Sequence, residues 1–193
     1  MARPSMAGQR REEILDALEK CILEKGIQAT SLEYLAETAQ MKRTILRHYI
    51  GNRDEIICAL SSRWAKVYQS QWQEVILLLP KIKRVEALID ILFSPRTNEY
   101  INNTIIGEAL FSEAKRLAPI KLDQKNNMKQ FIEILNVELK LQFPKLADDK
   151  LDLISHSLHA NYLMSESLLP LGMENEVEKL KKASYLLISF IST

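Results

Sequence analysis

The chain has 193 residues, 47% hydrophobic and 26% charged, with a formal net charge of +1. Such a composition is that of an ordinary globular protein and excludes a polycation that coats nucleic acid, though not a local basic patch, because charge acts strongly only within about 10 Å at physiological salt. Only 5 glycines and 6 prolines interrupt long runs rich in Leu, Ile, Glu and Lys, which predicts an all-α fold.

Residues 1–8 read as a flexible arm. A first helix is predicted from Gln9 to Lys25, with Ile14, Leu15, Leu18, Cys21 and Ile22 on one stripe. Gly26 suits a left-handed cap at its end. A second helix is predicted from Thr30, where Thr30 and Glu33 have capping-box spacing. Leu32, Leu35, Ala36 and Ala39 face inward, and Ala39-Gln40-Met41 turns the corner. The third helix, Lys42 to Tyr49, places Met41, Ile45, Leu46 and Tyr49 on one side and Arg43, Thr44 and Arg47 on the other. Asn52 and Glu55 form a second capping box at the start of a fourth helix, which runs to Leu79 and is stopped by Pro80. At 1.5 Å per residue it is roughly 40 Å long. Further helices are predicted near 82–93, 99–117, 120–142, 147–168 and 174–191, with Pro95, Pro119, Pro144 and Pro170 at the breaks.

From Thr38 to Arg53 the chain holds Lys42, Arg43, Arg47 and Arg53 and no carboxylate. A compact helix pair with unpaired cations is what a major-groove reader needs. These segments also resemble the DNA-binding domain of TetR-type bacterial transcriptional regulators. The resemblance rests on Gly26-Ile27-Gln28-Ala29-Thr30-Ser31 opening helix two, Leu35-Ala36 within it, Leu46-Arg47-His48-Tyr49-Ile50 closing helix three and Arg53-Asp54-Glu55-Ile56 opening helix four. It covers about a quarter of the chain. Three positions depart from the family pattern. Gln40 stands where a corner Gly is common, Thr44 where a small residue is common, and Arg47 where a Tyr is common.

The resemblance implies a double-stranded DNA operator as partner and assigns roles. Thr30 and Ser31 would present hydroxyls to a phosphate. Lys42, His48, Tyr49 and Arg53 would contact the backbone. Arg43, Thr44 and Arg47 would reach base edges. Arg3, Arg10 and Arg11 would add phosphate or minor-groove contacts. For Glu33 the cap is the preferred role.

A single such motif reads too few base pairs to find a site in a genome, so a homodimer is expected, paired through the last two helices. The expected interface residues are Leu158, Leu163, Leu180, Ala183, Leu187 and Ile191. A small-molecule effector of open identity is expected among helices four to eight, near Tyr68, Trp72, Phe93, Phe111, Phe131, His156, His159 and Tyr162. Glu108 and Glu166 are the carboxylates there in an apolar context.

Asp152, His156 and His159 share a helix face but lack the ligand set of a metal site, so no metal and no cofactor are expected. With no nucleophile elbow, phosphate loop or His-carboxylate pair at catalytic spacing, no enzyme is expected either. No apolar run reaches the roughly 18 residues that span a bilayer, and the N-terminus lacks a signal-peptide core. Cys21 and Cys58 suit a reduced compartment, so the expected location is cytoplasmic and no membrane partner is expected. The expected organisation is a helix-turn-helix domain over 1–55 and an effector-binding and dimerisation domain over 56–193. The expected function is a ligand-responsive repressor. The alternative is a helical protein-interaction module that has lost DNA binding.

Overall fold

The computed structural model describes residues 6–191. Among them are nine α-helices and no strand. They are α1 (Met6–Lys25), α2 (Leu32–Thr38), α3 (Arg43–Ile50), α4 (Arg53–Leu78), α5 (Arg84–Leu92), α6 (Asn98–Glu113), α7 (Ala118–Gln142), α8 (Asp148–Leu168) and α9 (Glu174–Ser189).

The predicted stripe of α1 is buried. The helix starts at Met6, so the last residues of the expected arm are helical, and the rest of the arm, with Arg3, lies outside the described residues. Gly26 closes α1 at a φ of 78°, with its N–H on the Ile22 carbonyl at 2.8 Å. At the other end of this region, the Asn52–Glu55 box forms as predicted. Asn52 Oδ1 accepts from the N–H groups of Asp54 and Glu55 at 2.9 and 3.1 Å, and Glu55 Oε2 accepts from the Asn52 N–H at 2.7 Å. Gly51, at a φ of 99°, precedes it, and a Cβ there would collide with the Glu55 carboxylate.

The α2–α3 corner is a Schellman turn built on a residue poorly suited to it. The Met41 N–H reaches the Ala36 carbonyl at 2.9 Å and the Gln40 N–H reaches Glu37 at 3.0 Å, with Gln40 left-handed at a φ of 53°. A side chain there costs more than glycine would, by more than glycine's extra unfolded-state entropy takes back. Gln40→Gly should therefore stabilise the chain by about 0.5–1 kcal/mol and raise the melting temperature by about 1–4 °C in a calorimetric scan. An unchanged or lower melting temperature would contradict the strain assigned to Gln40.

Pro119 lies just past the break between α6 and α7 that the sequence placed at it. It sits in the first turn of α7, where its missing N–H has no partner to lose. Pro170 lies in a short 3-10 turn, Leu169–Leu171, after α8.

Two compact units result. Among the described residues, the first combines 6–67 with Ile105–Gln124, the second Tyr68–Thr104 with 125–191. This differs from the boundary expected at 55/56. Ile106, Leu110 and Ile120 join the core of α1–α4, which contains Leu18, Leu35, Leu46, Ile56 and Leu60. The core of the second unit contains Trp72, Leu88, Phe131, Leu139, Leu158 and Ile188. Among the described residues no helix is long and apolar enough to cross a membrane.

Candidate nucleic-acid interface

Thr30 is buried, and its hydroxyl donates to the Gly26 carbonyl at 3.0 Å. The N-cap of α2 is Ser31, whose Oγ accepts from the Tyr34 N–H at 3.1 Å. This corrects the predicted capping box. The cap lies one residue later, so Glu33 is not at the reciprocal position, and Thr30 presents no hydroxyl to a ligand. Glu33 instead pairs with Arg43 of α3.

α3 is anchored by Leu46 and Ile50, with Met41 and Tyr49 half-buried. Ile45 was expected to face inward but is 40% exposed. It is turned about 100° from Leu46, which alone occupies the core at that level. The outer face carries Lys42, Arg43, Thr44, Arg47 and His48, all exposed. A two-turn helix would not persist alone in water, so its packing is what presents this face. Lys42 is the N-cap, in extended backbone without a side-chain cap bond. The His48 ring meets Tyr49 edge-on at 5.1 Å.

The cations are not all unpaired, as the local sequence suggested. Arg43 is shared with Glu33, which lies outside the carboxylate-free window. Arg53 is turned inward. Its Nε donates to the Thr30 carbonyl at 2.7 Å, its Nη2 donates to the Ile27 carbonyl, and Nη1 lies 3.7 Å from Asp54. It fastens the α1–α2 turn rather than presenting a free charge. Backbone carbonyl partners of this kind leave no trace in residue type. Asp54 is in turn held by Arg116 through two bonds of 2.7 and 2.8 Å, which keeps its carboxyl below the usual carboxylate range. Arg10 bonds Glu13 at 2.6 Å, and Arg11 is exposed. Arg47 is the α3 arginine whose guanidinium has no protein partner among the described residues.

In the second unit, five of the expected effector residues gather. Trp72 meets Phe131 at 4.5 Å between ring centroids, Tyr68 at 5.7 Å and Tyr162 at 6.1 Å. Phe131 meets His159 at 5.2 Å. Burial holds His159 below the ordinary histidine range, with the neighbouring His156 adding to the effect. Phe93 is buried in the same core. Two expectations are corrected. Phe111 is 50% exposed on the part of α6 that belongs to the first unit. His156 is an exposed residue bonded to the Asp152 carbonyl at 2.8 Å, on the outer edge of the helix face whose inner edge buries His159. Residues missed by the sequence reading are Arg96, Tyr100 and Thr104, which meet Glu166. Tyr100 and Thr104 stand four apart on α6, as Tyr162 and Glu166 do on α8, and that spacing was the available signal. Trp72, Ile76, Leu77, Ile134 and Val137 also line a groove of about 600 Å³ between α4 and α7.

The residues expected to pair two copies divide between the core and the surface of this unit. Leu158 is 1% exposed and belongs to the unit's own core, against which Leu180, Leu187 and Ile191 also pack. Leu163 and Ala183 are exposed. The other outward apolar residues of these two helices are Leu153 at 67%, Met164 at 52%, Leu186 at 56% and Phe190 at 70% exposed. A groove of about 440 Å³ between α8 and α9 is lined by Ala160, Ala183, Leu186 and Phe190 among others.

No family model matches the chain. Over 123 residues, 63% of this chain, the sequence is 25% identical to the HTH-type transcriptional regulator BetI of Rhizobium meliloti. The match spans 60% of that relative's length. A TetR transcription regulator from Haloarcula marismortui superposes with a TM-score of 0.78 at 13% identity, covering 95% of this chain and 98% of the other. A transcriptional regulator from Saccharomonospora viridis in complex with choline gives a TM-score of 0.76 at 12% identity, over 95% and 96% of the two chains. At these identities the structural likeness establishes a shared fold.

Proposed function

We propose that this chain, which has the all-α fold of the TetR/AcrR-type transcriptional regulators, is a repressor that binds a near-palindromic operator as a homodimer and releases it when a small molecule enters the second unit. The observation that carries this reading is the outer face of α3. Lys42, Arg43, Thr44 and Arg47 stand exposed on a short helix whose other side is pinned by Leu46 and Ile50. That is the geometry a recognition helix needs to enter a major groove.

In this reading Arg47, Arg43 and Thr44 meet base edges, while Ser31, Lys42, His48 and Tyr49 meet the phosphate backbone. Arg53 supports the interface from behind by holding the α1–α2 turn. The outward apolar faces of α8 and α9 pair two copies. The aromatic and polar cluster around Trp72 and Glu166 receives the effector. Release requires only that the effector bind one conformation better than the other, and a 10²-fold loss of operator affinity corresponds to about 2.7 kcal/mol of coupling.

A gel shift with the DNA upstream of the chain's own gene, repeated across salt, tests the reading. Binding should fall steeply as salt rises, with a log–log slope of about −0.9 per phosphate contacted. Absent or salt-insensitive binding would favour a protein-interaction module instead.

A further inference from the structure

We infer that the effector is an organic cation, an ammonium carried on an apolar body, held by the Glu166 carboxylate and the aromatic rings beside it; this inference rests on the reading of the second unit as an effector-binding unit. Three side chains, Arg96, Tyr100 and Thr104, meet Glu166, and a fourth, Tyr162, backs them through Tyr100. The Tyr100 hydroxyl donates to its two oxygens at 3.0 and 2.9 Å, and the Thr104 hydroxyl donates at 3.2 Å. The Tyr162 hydroxyl lies 3.2 Å from that of Tyr100. Arg96 approaches to 4.0 Å. The carboxylate side chain is only 17% exposed.

Hydroxyl donors orient a carboxylate but do not neutralise it, and a charge withdrawn from water calls for a counter-charge. Arg96 supplies that charge from the outer limit of an ion pair. Its guanidinium lies 4.1 Å over the ring of Tyr100, so the site already holds a cation against an aromatic face. Its Nη1 donates to Ser94 Oγ at 3.1 Å and its Nη2 to the Leu92 carbonyl at 2.5 Å, while its Nε is buried without a hydrogen-bond partner, so the guanidinium is tied to its own stretch of chain rather than to Glu166. A mobile ammonium would satisfy the same carboxylate and the same ring faces, and cations over Tyr and Trp rings gain most where water is excluded.

The surroundings fit the rest of such a ligand. Tyr162 and Tyr68 stand edge-on to Trp72, and Phe131 lies against Trp72, giving an apolar wall. The Trp72 indole nitrogen is buried beside Tyr68 without a well-formed hydrogen bond to it, a donor that an oxygen on the ligand body could share. Burial raises Tyr100 to about 12, so its hydroxyl remains a neutral donor and adds no competing charge. An anion would have to displace Glu166 from its hydroxyl donors, whereas a cation displaces only Arg96.

Titration calorimetry on the full chain tests this with phenyltrimethylammonium and its neutral isostere tert-butylbenzene. The cation should bind about tenfold or more tighter than the isostere. Glu166→Gln, which keeps the shape and the accepting oxygen, should weaken the cation by a similar factor and leave the isostere unchanged. Arg96→Gln removes the resident competitor and should tighten the cation severalfold, an effect that a purely structural role for Arg96 would not produce. Equal affinity for cation and isostere would overturn the inference, as would no cation binding to either the parent or a folded Arg96→Gln variant. A parallel gel shift separates the two readings. A chain that binds operator but ignores the cation loses only this inference. A chain that binds the cation but no DNA loses the regulator reading.

Discussion

Leu186→Glu combined with Phe190→Glu should yield a folded single chain that has lost about 10²–10⁴-fold in operator affinity. Both side chains project from α9 with more than half their surface in water, and Leu153, Leu163 and Met164 project from α8. A lone soluble chain seldom leaves so many large apolar side chains open across two adjacent helices. Closing two copies over a two-fold axis would bury them twice, because each patch meets its own equivalent. The double substitution puts four carboxylates into that contact. The core is untouched, since Leu158 and Ile188 point the other way. With pairing lost, the second recognition helix no longer binds as part of one molecule, and the gain from effective concentration disappears. Light-scattering mass and a gel shift on the same samples give the result. A two-chain mass in the variant, or operator affinity equal to the parent's, would remove α8 and α9 from the interface.

What the sequence conveyed and what it did not follow from range. The stripe of α1, the Gly26 cap, the Asn52–Glu55 box and the start of α4 depend on residues within one or two turns of each other, and all were legible. The capping residue of α2 was misplaced by one position because the hydroxyl oxygens of Thr30 and Ser31 are similar acceptors for a helix N-terminus by type. Only the burial of Thr30 beneath the turn decides between them. The inclusion of Ile105–Gln124 in the first unit depends on Ile106, Leu110 and Ile120 meeting helices some fifty residues or more away, and no local pattern announces that. The division of the α8 and α9 leucines between core and surface was hidden for a related reason. Leu158 and Leu163 are both apolar, and a stripe of leucines does not say which side faces the unit's own core. In the candidate interface, residue types located the cations of α3, while the partners of Arg43 and Arg53 came from α2 and from turn carbonyls that only the fold brings near.

Those partners set the expected order of effects on α3. Arg47→Ala should flatten discrimination at one base pair of each half-site by about 1–3 kcal/mol, the range for a bidentate arginine on guanine. Its guanidinium is exposed and uncommitted, so truncation removes a base contact without disturbing Leu46 or Ile50 behind it. Arg43→Ala should have a smaller effect, because its charge is already shared with Glu33 before DNA arrives. Both side chains of that pair are more than half exposed, where ion pairs contribute about 0–1 kcal/mol, so DNA can draw Arg43 away at small cost. Glu33→Gln then supplies the internal control. It removes a negative charge beside the phosphates and frees Arg43, so it should raise affinity for operator and unrelated duplex alike while leaving base preference in place. Affinities for a panel of operators changed one base pair at a time distinguish these outcomes. An Arg47→Ala protein that still rejects every altered operator as the parent does would take Arg47 off the base edges, and the recognition surface would then have to be sought around Arg43 and Thr44.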